Sequence, residues 1–223
     1  MSEWLRGYIL SGMESLEVCE IFTSMQGETS YAGRTCFFIR LTGCNLDCRY
    51  CDTQGARQPG TETKLDDLIR MAVSGQHSMI MITGGEPLLQ PGCCKLAETL
   101  RSSTDIPVVM ETNGSMDISV IPEGVTAAMD IKCPGSRMSE KMDWANIGRL
   151  REYDEVKFVI GDRKDYEWAV EVTCTQKLVS RCGSVFMTPV WGELEYRTLA
   201  EWIIKDGHDV RLGMQLHKIA GIR

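Results

Sequence analysis

No apolar run in this chain approaches the roughly 18 residues that a membrane span requires, so a membrane partner is not expected. Nor do Lys and Arg cluster anywhere: 24 of them face 31 Asp and Glu, giving a formal charge of −7. A protein that grips a nucleic-acid backbone needs a basic patch to displace counterions. Its absence turns the expectation to a small-molecule substrate. Internal repeats, low-complexity stretches and linkers rich in Pro, Gly or Ser are also missing, so nothing marks a second domain or disorder. The first residues carry an apolar patch, Trp4–Leu10, without the signal-peptide order of charge, apolar run and small-residue cleavage site. With no export signal, the ten cysteines are expected to stay reduced, in the cytoplasm.

What is present is an alternation of short apolar runs with segments of helical period. The runs predict strands over Leu16–Phe22, Cys36–Leu41, Met79–Thr83, Val108–Glu111, Ala127–Ile131, Val156–Ile160, Val185–Thr188 and Val210–Gln215. Helices are predicted over Lys64–Val73, Cys93–Ser102, Lys164–Arg181 and Arg197–Asp206, the first with Thr63 as its N-cap and Asp66 in its first turn. Strands joined through helices pair in parallel with right-handed crossovers. Runs from Met79 onward lack polar alternation, as strands covered on both faces do. About six such units are too few for a complete eight-unit barrel. The expected fold is therefore α/β, a partial parallel β/α barrel with the first two runs as flanking strands. It would occupy residues 16–223 as one domain, after an N-terminal extension over residues 1–15.

Chemistry in such folds collects at the carboxyl ends of the strands. Four polar segments fall there: Thr83-Gly84-Gly85-Glu86-Pro87, Glu111-Thr112-Asn113-Gly114, Asp130 to Pro134, and Gln215 to Lys218. Ahead of them, after the second strand, stands Gly43-Cys44-Asn45-Leu46-Asp47-Cys48-Arg49-Tyr50-Cys51-Asp52-Thr53, a CxxxCxxC loop. Three thiolates there can each take one corner of a cubane cluster. No fourth cysteine lies nearby, so one iron keeps an open position for a substrate. Structural zinc is the rival, but it wants four closed ligands, usually in paired CxxC arrangements, and the remaining cysteines form no second pair. Scattered cysteines such as Cys19 and Cys174 read as core thiols.

The spacing, together with the Gly-Gly-Glu-Pro segment, resembles the radical S-adenosylmethionine superfamily. The resemblance implies a 4Fe–4S cluster on Cys44, Cys48 and Cys51 and S-adenosylmethionine chelated to the open iron, with one electron breaking a C–S bond to give a 5′-deoxyadenosyl radical. It assigns Tyr50, Cys51, Asp52, Gly85, Glu86, Glu111, Cys133, Pro134 and Gly135 to the cofactor. Tyr50 would pack on the adenine or simply anchor its loop. Glu111 would hold ribose hydroxyls or cap the following turn.

A longer order of motifs is similar to the 7-carboxy-7-deazaguanine synthase family. It runs from Ser24-Met25-Gln26-Gly27-Glu28 through Gly33-Arg34, Phe37-Phe38-Ile39-Arg40-Leu41 and Cys51-Asp52-Thr53 to Asp130-Ile131-Lys132-Cys133-Pro134, Glu155-Val156-Lys157-Phe158, Thr188-Pro189-Val190 and Gln215-Leu216-His217-Lys218. The implied reaction is the radical ring contraction of 6-carboxy-5,6,7,8-tetrahydropterin with loss of ammonia. Glu28 can accept from the amino-pyrimidine edge of such a substrate, and the Gln26 amide can both give and accept. Arg40 can grip the carboxylate at two points, assisted by His217. Arg40 as an ion-pair partner and His217 as a structural histidine are the bland alternatives. The resemblance further places Met25, Gly27, Thr83 and the carboxylate of Arg223 on the pterin, and Mg2+ on Thr53. It also implies a flavodoxin- or ferredoxin-type electron donor and a homodimer. Departures from the family pattern are Thr29 after the Gln-Gly-Glu triplet and Gln54-Gly55-Ala56 after the cysteine loop. Two other functions stay open on the cysteine loop alone: an activase that places a radical on a partner protein's glycine, and an electron-transfer module.

Overall fold

The computed structural model describes residues 15–222. The N-terminal extension (apart from Ser15) and Arg223 therefore lie outside the described residues. Among the described residues nine strands form one sheet in the order β3-β1-β2-β4-β5-β6-β7-β8-β9. They are β1 (Ser15–Met25), β2 (Thr35–Leu41), β3 (Thr61–Lys64), β4 (Met79–Gly84), β5 (Val108–Thr112), β6 (Thr126–Ile131), β7 (Glu155–Ile160), β8 (Ser184–Pro189) and β9 (Arg211–Leu212). From β2 across to β9 every pairing is parallel, while β1 runs antiparallel to β2 and β3. The two edges, β3 and β9, do not pair with each other, so the barrel is open. The partial parallel barrel expected from the sequence is the observed fold, although β2 is its first parallel strand and only β1 and β3 flank it.

Two apolar layers hold the strands. Outward-facing Ile39, Leu41, Ile80, Ile82, Val108, Met110, Met129, Val156 and Phe158 pack against the helices as the main core. The helices are α1 (Leu65–Ser74), α2 (Gly92–Ser103), α3 (Arg163–Thr175) and α4 (Tyr196–Asp206), followed by a short α5 (Leu216–Ala220). Leu68 of α1 and Leu96 and Leu100 of α2 are fully buried, worth ~1.5–3 kcal/mol for each such side chain. The inner face is different. Cys36, Met79, Met81, Val109 and Ala128 form a separate apolar cluster inside the barrel. One strand period farther on, toward the carboxyl ends, stand Thr83, Glu111 and Asp130 on β4, β5 and β6. The inner face thus turns from apolar to polar within two residues, because alternate residues of a strand share a face.

Several expectations need correction. Thr63 is not a helix cap: it lies in β3 opposite Leu16, its hydroxyl donates to the Thr61 carbonyl at 3.1 Å, and Lys64 occupies the cap without a side-chain bond. β3 went unread because Thr61-Glu62-Thr63-Lys64 has no apolar period to reveal it. The helix expected over Lys164–Arg181 ends at Thr175, since Lys177 adopts a left-handed conformation (φ 54°), and a 3-10 turn follows over Leu178–Ser180. The strand expected over Val210–Gln215 is reduced to Arg211–Leu212. Gly213 presses against Thr188, and the Gln215 amide donates to the Tyr196 hydroxyl at 2.9 Å instead of continuing the ladder. Cys174 is exposed and Cys19 half-buried, so neither is a core thiol.

Candidate active site

At the carboxyl ends of the strands opens a cavity of about 670 Å3. Its wall brings together Met25, Gln26, Gly27, Glu28, Arg40, Cys44, Cys48, Tyr50, Cys51, Asp52, Thr53, Thr83, Gly85, Glu111 and His217, residues spread from β1 to the end of the chain. Glu86, Cys133, Pro134 and Gly135 are not part of that wall. Glu86 is fully buried, and its carboxylate accepts from the amides of Leu88 (3.0 Å) and Asn113 (2.7 Å) and the hydroxyl of Thr112 (2.9 Å). It ties the β4 exit to the β5 exit. Burial raises its pKa, and these donors offset only part of that cost. Gly135 is bound to α3 through the Asp165 carboxylate (2.8 Å), while its carbonyl accepts from Arg49 Nε (3.1 Å).

The cysteine loop is fixed from several sides. Gly43, at φ +90°, turns the chain out of β2. Its amide donates to Ala56 at 2.7 Å, and its carbonyl accepts from the Glu86 amide at 2.8 Å. Arg49 forms a two-point bond with Glu193 at 2.9 and 2.7 Å. Close packing explains Gly85: a Cβ there would lie 2.3 Å from the Gly43 carbonyl oxygen and 2.5 Å from Cys44 Cβ. A glycine at this strand end lets the cysteine loop approach the backbone closely. Tyr50 donates to the Val159 carbonyl at 3.1 Å and lies beneath the Arg49 guanidinium at 5.4 Å, so it anchors its loop while its ring lines the cavity. Thr53 donates to Asp52 at 3.1 Å, which leaves its oxygen lone pairs available to a cation.

The same cavity carries a network of charges. Lys157 Nζ is 2.8 Å from both Glu28 and Glu111 and 3.5 Å from Asp130, and Lys132 is 2.9 Å from Asp130. Thr83 donates to the second oxygen of Glu111 at 2.9 Å. Burial works against the Glu111 carboxylate, but Lys157 and Thr83 outweigh it and bring its pKa down to about 2. The 32 % exposure of that side chain is to the cavity it lines. Burial likewise disfavours the Lys157 ammonium, and Glu111, Glu28 and Asp130 hold it well above the ordinary lysine value. Gln215 Nε2 donates to Glu28 at 3.1 Å, and His217 Nε2 stands 4.0 Å from the same carboxylate. Arg40 gives its Nε to Glu20 at 2.8 Å and still lines the cavity, so the ion-pair reading and the ligand-facing reading describe one residue. Lys157, Asp130 and Lys132 were not among the expected site residues. For Asp130 and Lys157 the signal is a charged residue at the parity of the strand that faces the barrel interior, and Lys132 follows directly after β6.

The sequence profile of the radical SAM superfamily matches residues 38–172. The 7-carboxy-7-deazaguanine synthase of Chlorobaculum tepidum is 39% identical over 206 residues, covering 91% of this chain and 93% of that one. The synthase of Koribacter versatilis is 36% identical over 220 residues, covering 91% and 96%. The chain belongs to the 7-carboxy-7-deazaguanine synthase family. In fold it resembles QueE from Escherichia coli, with a TM-score of 0.70 at 20% identity over 96% of this chain and 98% of that one. A more distant likeness in fold is to Streptococcus suis SuiB, solved with its precursor peptide SuiA, with a TM-score of 0.56 at 13% identity over 76% of this chain and 46% of that one.

Membership in this family implies a 4Fe–4S cluster and S-adenosylmethionine, and the residues fit them. Cys44, Cys48 and Cys51 are unpaired, half-buried and on one wall of one cavity. Asn113 Nδ2 approaches Cys44 Sγ at 3.9 Å, the kind of N–H to sulfur contact that tunes a cluster. The zinc reading finds no second cysteine pair to close its shell, whereas the family to which the chain belongs uses the cysteine loop for its cluster. The electron-transfer module, which wants four protein ligands, loses its support as well.

Proposed function

We propose that this chain converts 6-carboxy-5,6,7,8-tetrahydropterin to 7-carboxy-7-deazaguanine and ammonia. The observation that carries the reading is one cavity lined by the three-cysteine loop together with Glu28, Gln26 and Arg40. When bound, the cluster and S-adenosylmethionine supply the radical that takes a hydrogen from C6 of the pterin. The chain's own residues do the positioning. Glu28 accepts from the amino-pyrimidine edge, with its carboxylate oriented by Lys157 and Gln215. Gln26 is 3% exposed and already accepts from the Glu28 amide at 2.9 Å, so its Nε2 is left to face the heterocycle. Arg40 has its two terminal nitrogens for the substrate carboxylate because Glu20 takes only Nε. Glu111 serves ribose hydroxyls. Thr53 offers an oxygen to Mg2+, which prefers oxygen ligands and keeps waters while bridging to substrate.

A flavodoxin- or ferredoxin-type protein would supply the electron, the active form would be a homodimer, and the cytoplasm would be its place. No described helix is long and apolar enough to cross a membrane. The activase alternative finds less support, since the charged inner wall suits a flat polar heterocycle better than a glycine-bearing protein loop. Anaerobic incubation of the cluster-loaded protein with S-adenosylmethionine, a reductant and the carboxytetrahydropterin tests the reading. The expected outcome is the deazapurine by mass spectrometry, with S-adenosylmethionine regenerated. No product, or stoichiometric loss of the cofactor alone, would count against it.

A further inference from the structure

We propose that Lys157 is a positioning residue shared by the two ends of the cavity, holding Glu28 for the pterin and Glu111 for the cofactor in one rigid arrangement. The inference rests on the synthase reading above. Its basis is how completely the ammonium is used. Lys157 has three N–H donors, and three carboxylate oxygens surround it: Glu28 Oε2 and Glu111 Oε1 at 2.8 Å, and Asp130 Oδ2 at 3.5 Å. No donor remains for a ligand, so Lys157 acts through its neighbours. The far oxygen of each glutamate is also held, Glu111 by Thr83 at 2.9 Å and Glu28 by Gln215 at 3.1 Å. Two donors per carboxylate fix its plane, and a carboxylate offers about four lone-pair sites, so each keeps acceptor capacity for a ligand.

A salt bridge that served only the fold would not need to stand between two groups lining the cavity. Lys157 is 15% exposed, and all four of Lys157, Glu28, Glu111 and Asp130 line the same space. No neighbouring cation can take its place. Lys132, just past the end of β6, is committed to Asp130 at 2.9 Å, Arg40 on β2 to Glu20 at 2.8 Å, and Lys218 on α5 to Asp52. The other titratable groups facing this cluster are Asp52 from the cysteine loop, Glu155 on the same strand, and His217 and Tyr196 near Glu28. None of these adds a permanent positive charge. Without Lys157, two poorly solvated carboxylates would face each other unpaired, a strongly unfavourable arrangement that proton uptake relieves.

The test uses the cluster-loaded protein under anaerobic conditions, titrated by calorimetry with S-adenosylmethionine and with the carboxytetrahydropterin separately, between about pH 5 and about pH 8. Lys157→Met should loosen both ligands by about tenfold or more. Its affinity for S-adenosylmethionine should also fall toward acid more steeply than that of the wild type, as Glu111 takes up a proton. Lys157→Arg keeps the charge, so it should return the wild-type pH slope while binding both ligands at least about threefold more weakly, because its planar fork cannot reproduce three bonds from one nitrogen. Loosening of one ligand only, or of both with an unchanged pH slope, would overturn the proposal. Should Lys157→Met not fold, wild-type affinities for both ligands in Lys157→Arg would overturn it. Wild-type protein that binds no pterin would instead refute the synthase reading, and this proposal with it.

Discussion

Gly27 lies so close to His217 that a Cβ on it would stand 2.5 Å from the imidazole Nδ1 and 3.2 Å from the His217 amide nitrogen. The two residues come from opposite ends of the chain, and the Leu216 amide bonds the Gly27 carbonyl at 3.2 Å. Gly27 is therefore the seat of α5, and it sets how deeply His217 enters the cavity. Gly27→Ala should push the imidazole aside while the barrel stays folded, since α5 contributes no residue to the main core. The expected outcome is pterin affinity about tenfold weaker, with S-adenosylmethionine affinity and thermal midpoint close to the wild type. Equal weakening of both ligands would show that the glycine serves the whole cavity instead.

The cysteine loop gives a comparison within one protein. Cys48→Ala should remove most of the iron and all turnover, because a cubane left with two of its three cysteine ligands is too weakly held. Cys174 is exposed at the end of α3, far in sequence from the loop. Cys174→Ala should keep full iron content and activity, since exposed substitutions away from special features seldom cost much stability. Iron analysis with the absorbance of the cluster reads both. Full iron in Cys48→Ala would sink the assignment.

The barrel was legible because its strands are short apolar runs separated by helical periods, and its site because polar segments fall at strand ends. What escaped had weaker or misleading local signals. β3 is four polar residues that become a strand only by pairing with β1. The α3 boundary depends on Lys177 taking a left-handed conformation, which is uncommon for a side-chain-bearing residue and unreadable from identity alone. Glu86, expected on the cofactor from its motif, also uses its carboxylate to join two loops, a role that its own segment does not show. Lys157 sat inside the recognised segment Glu155-Val156-Lys157-Phe158 without being assigned. Its meaning depends on the inner-face register that sets it beside Asp130, a relationship between strands that no single segment contains.

That same network makes the acid stability of the protein depend on Glu111. Burial opposes its ionisation, but Lys157 and the Thr83 hydroxyl hold its pKa at about 2 in the folded state, against an ordinary value of 4.5. A carboxylate whose folded pKa is depressed contributes stability above its unfolded pKa and loses it as pH falls through the folded value. The contribution is thus complete above about pH 5 and gone below about pH 2. Glu86 and Glu155 act in the opposite sense, because burial raises both: folding favours their protonated forms, so lowering the pH relieves a cost. Glu111→Gln keeps the acceptor for Thr83 but removes the charge that faces Lys157. Its unfolding free energy, followed by urea titration at a series of pH values, should therefore fall less steeply than that of the wild type between about pH 5 and about pH 2. The two proteins should differ most at neutral pH and converge in acid. Parallel curves across that window would mean that Glu111 has the same pKa folded and unfolded, and that Lys157 gives its charge to Glu28 and Asp130 alone.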